Sequence, residues 1–254
     1  MTTFSLDVNL ASLLSLAQAQ VFPRMTYKLY ITNRNYSSWS LRPWLLLREL
    51  SIPFDEEFVE LISGQYRQPQ WKAFSPIAHV PCLHHSLTSA SGSENLILWE
   101  SIAIIEHLAE QHGDKNIYPT NSMARAWARS AVAEMHAGFV TIRDEMSMNI
   151  GLRVELPRES VGEALVKELQ RLDELWEEGL GRFGGPWLAG EEFGAVDAFY
   201  APVVLRLQTF VGADSWLGEE SRECECFFSF FRCEARRWAG LVVADVEGEG
   251  TPAW

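Results

Sequence analysis

Residues 35–47 read NYSSWSLRPWLLL, and they set the expectation for the first half of the chain. They follow the apolar segment YKLYITN of residues 27–33, which has the composition of a β-strand. They also open the run of residues 39–50, which suits an α-helix because its proline lies in the first turn. Serine occupies three of the four positions from 37 to 40, at the junction of the two elements. The sequence therefore predicts a strand that leads into a helix whose first turn carries several hydroxyl groups.

Beyond this helix, strand and helix patterns continue as far as residue 112. The strand candidates are residues 53–61, 78–85 and 96–100, and a polar loop at 88–95 joins the last two into a hairpin. A helix follows from Ser101, a residue that caps helices well. Its predicted apolar face consists of Ile102, Ile105, Leu108 and Ala109. Residues 26–112 are therefore expected to form one mixed α/β domain.

The second half of the chain has helical patterns only. Residues 113–121 have the composition of a linker, and the helix candidates after it are 124–148, 158–183 and 195–210. Asp197, three positions after Gly194, is expected to reach back to the start of the last helix as half of a capping box. Residues 122–254 are thus predicted to be an all-α domain with a flexible acidic tail, and residues 1–25 a surface extension, with Met25 as an alternative start.

Composition excludes several classes of function. Charged residues make up 22% of the 254 residues and the formal net charge is −13, which disfavours nucleic acid and anionic membranes as partners. The four cysteines show no zinc-ligand spacing, and the adjacent His84 and His85 would point to opposite faces of a strand, so no metal site is expected. Cysteine usage of this kind is typical of a reduced, cytoplasmic setting.

Four motifs, in the same order and at the same spacing, resemble those of the glutathione transferase family. SSWSLR (37–42) is similar to the SSCSWR turn of the zeta class, and HVPCL (79–83) to the segment that carries the family's cis-proline. WESIAIIEHLAE (99–110) and GEEFGAVDAFYAPV (190–203) are similar to its second helix start and its helical-domain cap. The resemblance implies an α/β thioredoxin-like N-terminal domain followed by an all-α C-terminal domain. It also implies a homodimer that uses glutathione as co-substrate.

The resemblance places the family's catalytic serine at Ser37. A free thiol with a pKa of about 8.5 is mostly protonated at neutral pH, so glutathione needs help to react as a thiolate. A hydroxyl at a helix N-terminus can donate a hydrogen bond to the sulfur, and the helix dipole adds about 0.3–1 kcal/mol. The alternative is that Ser37, Ser38 or Ser40 only caps the helix, and which serine acts stays open. Trp39 departs from the zeta pattern, which has cysteine there.

The remaining glutathione contacts are also carried over from the family. Ser38 neighbours the catalytic serine, and the backbone of Val80, before the cis-proline Pro81, would pair with the cysteinyl part of glutathione. Glu100 and Ser101 would hold its γ-glutamyl end at the start of a helix. Gln65 best matches the residue that would bind the glycyl carboxylate. Its rivals, at loose spacing, are Arg67, Gln68 and Lys72.

The second substrate is expected between the domains. Arg143 and Met146 are candidates to line its pocket, with Arg143 able to hold an acidic group, whereas His136 and Phe139 equally suit packing at the domain interface. The expected reaction is attack of the glutathione thiolate on a small hydrophobic electrophile. The alternatives are a glutathione-dependent cis–trans isomerase of the zeta type and a glutathione-transferase-like binding protein without turnover.

Overall fold

The computed structural model describes residues 24–61, 68–89, 92–157 and 161–211. Its first half alternates strands and helices as the sequence predicts. The elements are β1 (Arg24–Ile31), α1 (Ser38–Glu49), β2 (Asp55–Phe58), a 3₁₀ turn (Pro69–Ala73), β3 (Cys82–Ser89), β4 (Gly92–Trp99) and α2 (Ser101–Gln111). The strands form one mixed sheet in the order β2-β1-β3-β4, in which only the β1–β2 pair is parallel.

Strand bounds differ from the prediction around the hairpin. β4 begins at Gly92, and β3 continues to Ser89, so most of the predicted polar loop at 88–95 belongs to the two strands. Register explains this extension, because the hairpin ladder pairs Ser86 with Asn95 and Ser89 with Gly92. β1 begins at Arg24 and takes two residues of the predicted extension 1–25 into the sheet, whereas residues 1–23 lie outside the described part of the chain.

The second half consists mainly of helices. They are α3 (Ser122–Ala137), α4 (Val140–Glu145), α5 (Glu163–Phe183) and α6 (Ala195–Thr209). Two short strands that the sequence did not indicate, β5 (Val154–Glu155) and β6 (Phe210–Val211), pair in parallel. None of the described helices is long and apolar enough to cross a membrane.

The prediction of a single helix over residues 124–148 is wrong, because the helix is interrupted between α3 and α4. Gly138 ends α3, and a Cβ built on it would lie 2.9 Å from the carbonyl oxygen of Glu134. Phe139 has a φ of 53°, in the left-handed region that a helix interior excludes. The break also means that Phe139 and Met146 do not lie on one continuous helix.

Buried hydrophobic side chains form one cluster that runs through both halves. It joins Leu45 and Trp44 of α1 to Phe199 and Tyr200 of α6. The apolar face of α2 also differs from the prediction, since Ile104 is fully buried and Ile102 only partly. Because α1 packs directly on α6, the N-terminal end of α1, called its mouth below, lies at the interface between the two halves of the molecule. This interface is called the seam.

Candidate functional site

Ser37 stands at the mouth of α1. It is the N-cap residue, with extended backbone angles (φ −92°, ψ 92°), and its Oγ accepts the backbone N–H of Ser40 over 3.3 Å. Its side chain remains partly exposed. The helix-capping role is therefore present in a residue that is not fully buried.

The other two serines of this turn are buried and engaged. Ser38 is 5% exposed, and its Oγ accepts a hydrogen bond from Nη2 of Arg206 in α6 over 3.2 Å. Ser40 is fully buried, and its Oγ accepts the backbone N–H of Thr32 over 3.3 Å. Of the three candidates that the sequence left open, Ser37 is the one that is partly exposed.

The Val80–Pro81 peptide bond is cis, as the resemblance implies. Val80 precedes β3, whose last ladder pair with β1 at this end joins Cys82 to Tyr30. The Val80 peptide therefore lies beyond the sheet ladder, and its side chain is partly exposed.

Glu100 and Ser101 form a tight junction between β4 and α2. Glu100 has a φ of 69°, an uncommon angle for a residue other than glycine. Ser101, the first residue of α2, is fully buried, yet its Oγ has no hydrogen-bond partner among the described residues. A buried hydroxyl without a partner, beside the free N–H groups of a helix start, suits a carboxylate supplied by a ligand.

His136 of α3 faces this junction. Its Nε2 lies 4.0 Å from the Glu100 carboxylate, and its ring meets that of Trp39 edge-on at 5.3 Å between centroids. Burial, and then the positive charge of Arg42, lower the pKa of His136, although Glu100 acts in the opposite direction. The imidazole is thus neutral at neutral pH, close to the place where the γ-glutamyl end was predicted.

Arginine side chains gather around Trp39 at the same seam. The guanidinium carbon of Arg42 lies 4.3 Å from the Trp39 ring centroid and 4.7 Å from that of Phe199, and Arg143 lies 5.5 Å from Trp39. Arg42 is 1% exposed, and its Nε and Nη1 have no hydrogen-bond partner in the described ranges. Burial, with Arg143 and Arg206 nearby, lowers the pKa of Arg42 to about 9.

Arg206 completes this group from α6. It is 6% exposed and donates to the carbonyl oxygens of Arg143 and Met146 as well as to Ser38. Burial lowers the pKa of Arg206 to about 10. Sequence reasoning missed both its role and that of Trp39. The available signal was one arginine inside the otherwise apolar helix AVDAFYAPVVLRLQT.

The other predicted residues fare differently. Met146 is fully buried in the core, which does not support its predicted pocket role, and Phe139 packs edge-on against Tyr200 as an interface residue. Gln65 and its rival Arg67 lie outside the described residues. Gln68 is 1% exposed and donates to the carbonyl of Glu60. Within the described ranges no group of three or more side chains could hold a metal ion.

Two models of known families match the chain in the order of its two halves. The N-terminal domain of glutathione S-transferase matches residues 36–111, and the C-terminal domain of glutathione S-transferase matches residues 159–239. Together the two matches cover well over half of the 254 residues.

The chain is also similar to individual proteins and solved structures. The chain is 29% identical over 185 residues to glutathione S-transferase GstB of Escherichia coli K12, covering 68% of this chain and 80% of that protein. It is 28% identical over 199 residues to maleylacetoacetate isomerase of Pseudomonas aeruginosa, covering 74% and 85%. A glutathione transferase Omega 2S of Trametes versicolor, solved with 2,4-dihydroxybenzophenone, shares the fold with a TM-score of 0.61 and 19% identity, covering 89% of this chain and 97% of that one.

Proposed function

Since this chain belongs to the glutathione S-transferase family, we propose that it binds glutathione at the mouth of α1 and catalyses attack of the glutathione thiolate on a small hydrophobic electrophile. The observation that carries this proposal is Ser37, a partly exposed residue at the N-terminus of α1 whose two neighbouring serines are buried. Ser37 stabilises the thiolate by donating a hydrogen bond to the sulfur. The dipole of α1 adds to this stabilisation because the helix points its positive end at the same place.

The rest of the tripeptide is held by the cis-proline segment and the start of α2. The Val80 backbone beyond the ladder pairs with the cysteinyl part, and the unpartnered Ser101 hydroxyl receives the γ-glutamyl carboxylate. Glu100 binds the glutathione ammonium group. Ser38 contributes by shaping this turn, since its hydroxyl is engaged by Arg206. Held in this way, the sulfur meets its partner as an aligned pair instead of by chance collision.

The proposed reaction forms one C–S bond and involves neither a metal nor a redox partner. The thiol proton leaves to solvent as the sulfur ionises beside Ser37. The thiolate then donates its electron pair to the electrophilic carbon, so that a C–S bond forms. A leaving group departs with its electron pair, or, for an activated double bond, the adjacent carbon takes a proton from water.

A second candidate reaction is glutathione-dependent cis–trans isomerisation of an acidic compound. The specific observation that favours it is the group of Arg42, Arg143 and Arg206 at the seam, in which Arg42 has two nitrogen atoms without a partner among the described residues. A carboxylate beside these arginines would be stabilised. The relative of Pseudomonas aeruginosa that carries the name of an isomerase adds support. Product analysis separates the two reactions: conjugation yields a stable thioether, whereas isomerisation returns glutathione unchanged.

The test compares wild type with Ser37→Ala. The pKa of the bound thiol is read from thiolate ultraviolet absorbance, and glutathione affinity from calorimetry. We expect Ser37→Ala to raise the bound thiol's pKa toward about 8.5, the value of a free thiol, with a small change in affinity. Ser130→Ala, which removes an exposed hydroxyl from α3, is the matched control. Binding without turnover across neutral and acidic electrophiles would instead indicate a binding protein.

A further inference from the structure

The hydroxyl of Ser40 lies directly behind that of Ser37. The two Oγ atoms are 3.0 Å apart, and Ser40 is fully buried in the first turn of α1. We propose that Ser40 is a positioning residue, which turns the proton of the Ser37 hydroxyl toward the bound sulfur. This inference rests on the function proposed above and assigns a further residue to it.

The protons and acceptors available to the two hydroxyls indicate which one donates to the other. Each serine carries one proton, so either Oγ can be the donor across the 3.0 Å gap. If Ser37 donates to Ser40, the Ser40 proton is left in the interior. The hydrogen bonds of Ser40 Oγ among the described residues are those with the Thr32 amide and with Ser37 Oγ. If Ser40 donates to Ser37, both protons are used, since a buried Ser40 proton is satisfied and the Ser37 proton is free to face the cleft.

The backbone N–H of Thr32 favours the same direction, in which Ser40 donates to Ser37. It donates to Ser40 Oγ over 3.3 Å, which occupies one lone pair and leaves the Ser40 proton as the group to be placed. The result is a directional chain from the amide of Thr32 through Ser40 to Ser37 and then to the sulfur. Each accepted bond polarises the next donor, by roughly 10–30% per bond in condensed-phase estimates. Ser37 therefore becomes a better donor to a thiolate than an isolated serine.

Ser40→Ala tests this inference without removing the helix cap. The cap bond is made by the backbone N–H of Ser40, which alanine keeps. The variant therefore deletes one hydroxyl behind Ser37 and leaves Ser37 in place. Asn121→Ala serves as a stability control, because it removes the cap of α3 through lost bonds to Met123 and Ala124.

The experiment is a double-mutant cycle on Ser37 and Ser40 with glutathione as the ligand. We expect Ser40→Ala to raise the pKa of the bound thiol by about a few tenths of a unit, less than Ser37→Ala does, because the bond from Ser37 to the sulfur is weakened and not removed. The pH profile of kcat/KM should move by the same amount, while glutathione affinity stays within about twofold. Ser40→Ala should have no further effect in the Ser37→Ala background, because the chain acts through Ser37. Asn121→Ala should lower the unfolding midpoint without moving the pKa.

Each outcome separates this inference from the proposed function. If Ser37→Ala raises the thiol's pKa and Ser40→Ala does not, Ser40 has no positioning role and the proposed function stands. Ser40 likewise has no positioning role if the effect of Ser40→Ala persists at full size without the Ser37 hydroxyl. If Ser37→Ala leaves the pKa of the bound thiol unchanged, both the thiolate role of Ser37 and the positioning role of Ser40 are wrong. Absence of glutathione binding overturns the function itself.

Discussion

Four side chains at the seam and the start of α2 hold buried polar atoms that the described protein does not pair. They are Ser101 Oγ, Arg42 Nε and Nη1, His136 Nδ1 and Arg206 Nε. A buried polar atom left without a partner costs about 1–3 kcal/mol. These atoms lie where a ligand is proposed to bind, so their partners can arrive with the ligand. They allow binding and stability to be separated by experiment.

Ser101→Ala should weaken glutathione binding without destabilising the free protein. The hydroxyl has no partner to lose among the described residues, so its removal relieves an unsatisfied buried group. A bond from it to a carboxylate is worth about 1.5–3 kcal/mol, so we expect at least about tenfold weaker binding of glutathione by calorimetry. The pKa of the thiol that does bind should stay unchanged, because Ser37 is intact.

Ser75→Ala provides the contrasting case for stability. Ser75 is equally buried, but its Oγ accepts the backbone N–H of His79 over 3.2 Å. Urea unfolding should therefore show a loss of about 1–3 kcal/mol in Ser75→Ala and none in Ser101→Ala. If Ser101→Ala destabilised the free protein as much as Ser75→Ala, its hydroxyl would be structural and the proposed ligand contact would lose its support.

At the scale of elements, α6 depends on one carboxylate. Asp197 is fully buried and accepts the backbone N–H groups of Gly194 and Leu188, each over 2.9 Å, which confirms the predicted reach back to the helix start. Burial raises the pKa of Asp197 to about 7, even though both amides favour the charged form. The side chain thus holds the loop before α6 against the helix itself.

Asp197→Ala should lower the free energy of unfolding by about 2–5 kcal/mol, because two buried amides lose their acceptor. Glutathione affinity of the folded fraction should change by less than about twofold, because no proposed glutathione contact is removed. Glu191→Ala removes an exposed carboxylate from the same loop and should leave the unfolding curve in place. A large loss of affinity in folded Asp197→Ala would show that the residue acts on the site.

Histidines beneath the sheet connect β3 with α2. His85 Nδ1 lies 2.9 Å from His107 Nε2, and His112 Nε2 lies 3.0 Å from the hydroxyl of Tyr27. Burial is the main cause that lowers the pKa of all three from 6.5, and neighbouring histidines add to it at His85 and His107. Glu110 and Asp114 oppose the shift, whereas Lys115 adds to it.

The contribution of these three histidines to stability should therefore decline as the pH falls through 6.5. Below that pH the unfolded chain binds protons on these histidines and the folded chain resists them, so protonation favours unfolding. Urea unfolding of wild type and His107→Gln across this range provides the measurement. The variant should be less stable above pH 6.5, and its deficit should shrink below it. A deficit that stays constant with pH would contradict the linkage.

Local patterns could predict these elements, and contacts between distant segments could not be predicted. Alternation and serine placement predicted β1 and α1, and the family motifs predicted the cis bond before Pro81. The break at Gly138 was missed because apolar spacing continues across it, whereas one glycine and one left-handed residue end the helix. The bond from Arg206 to Ser38 joins residues 168 positions apart, and no periodicity indicates it.

On the scale of the whole molecule, charge is distributed unevenly. The chain carries a formal net charge of −13, yet arginines gather at the seam between its halves. Arg42 from α1 lies between the rings of Trp39 and Phe199, and Arg206 from α6 binds the first turn of α1. Desolvated cations here oppose folding and favour an anion that enters the seam. Stability of the whole chain and selectivity for acidic substrates should therefore be linked through these residues.

Arg42→Met should raise stability and reduce turnover of acidic electrophiles. Methionine is unbranched and packs on aromatic rings, while it removes a buried cation with two nitrogens that the described residues leave unpaired. Cation–π contacts worth about 0.5–2 kcal/mol are lost, but relief of the buried charge outweighs them, so we expect a net gain of about 1 kcal/mol in urea unfolding. The kcat/KM for a carboxylate-bearing electrophile should fall at least about tenfold more than that for a neutral one. Arg48→Met on the same helix, where the arginine side chain is 47% exposed, should change neither preference nor stability by as much. If Arg42→Met proved less stable than Arg48→Met, the arginine would be a structural part of the seam, and the argument for an acidic substrate would lose its basis.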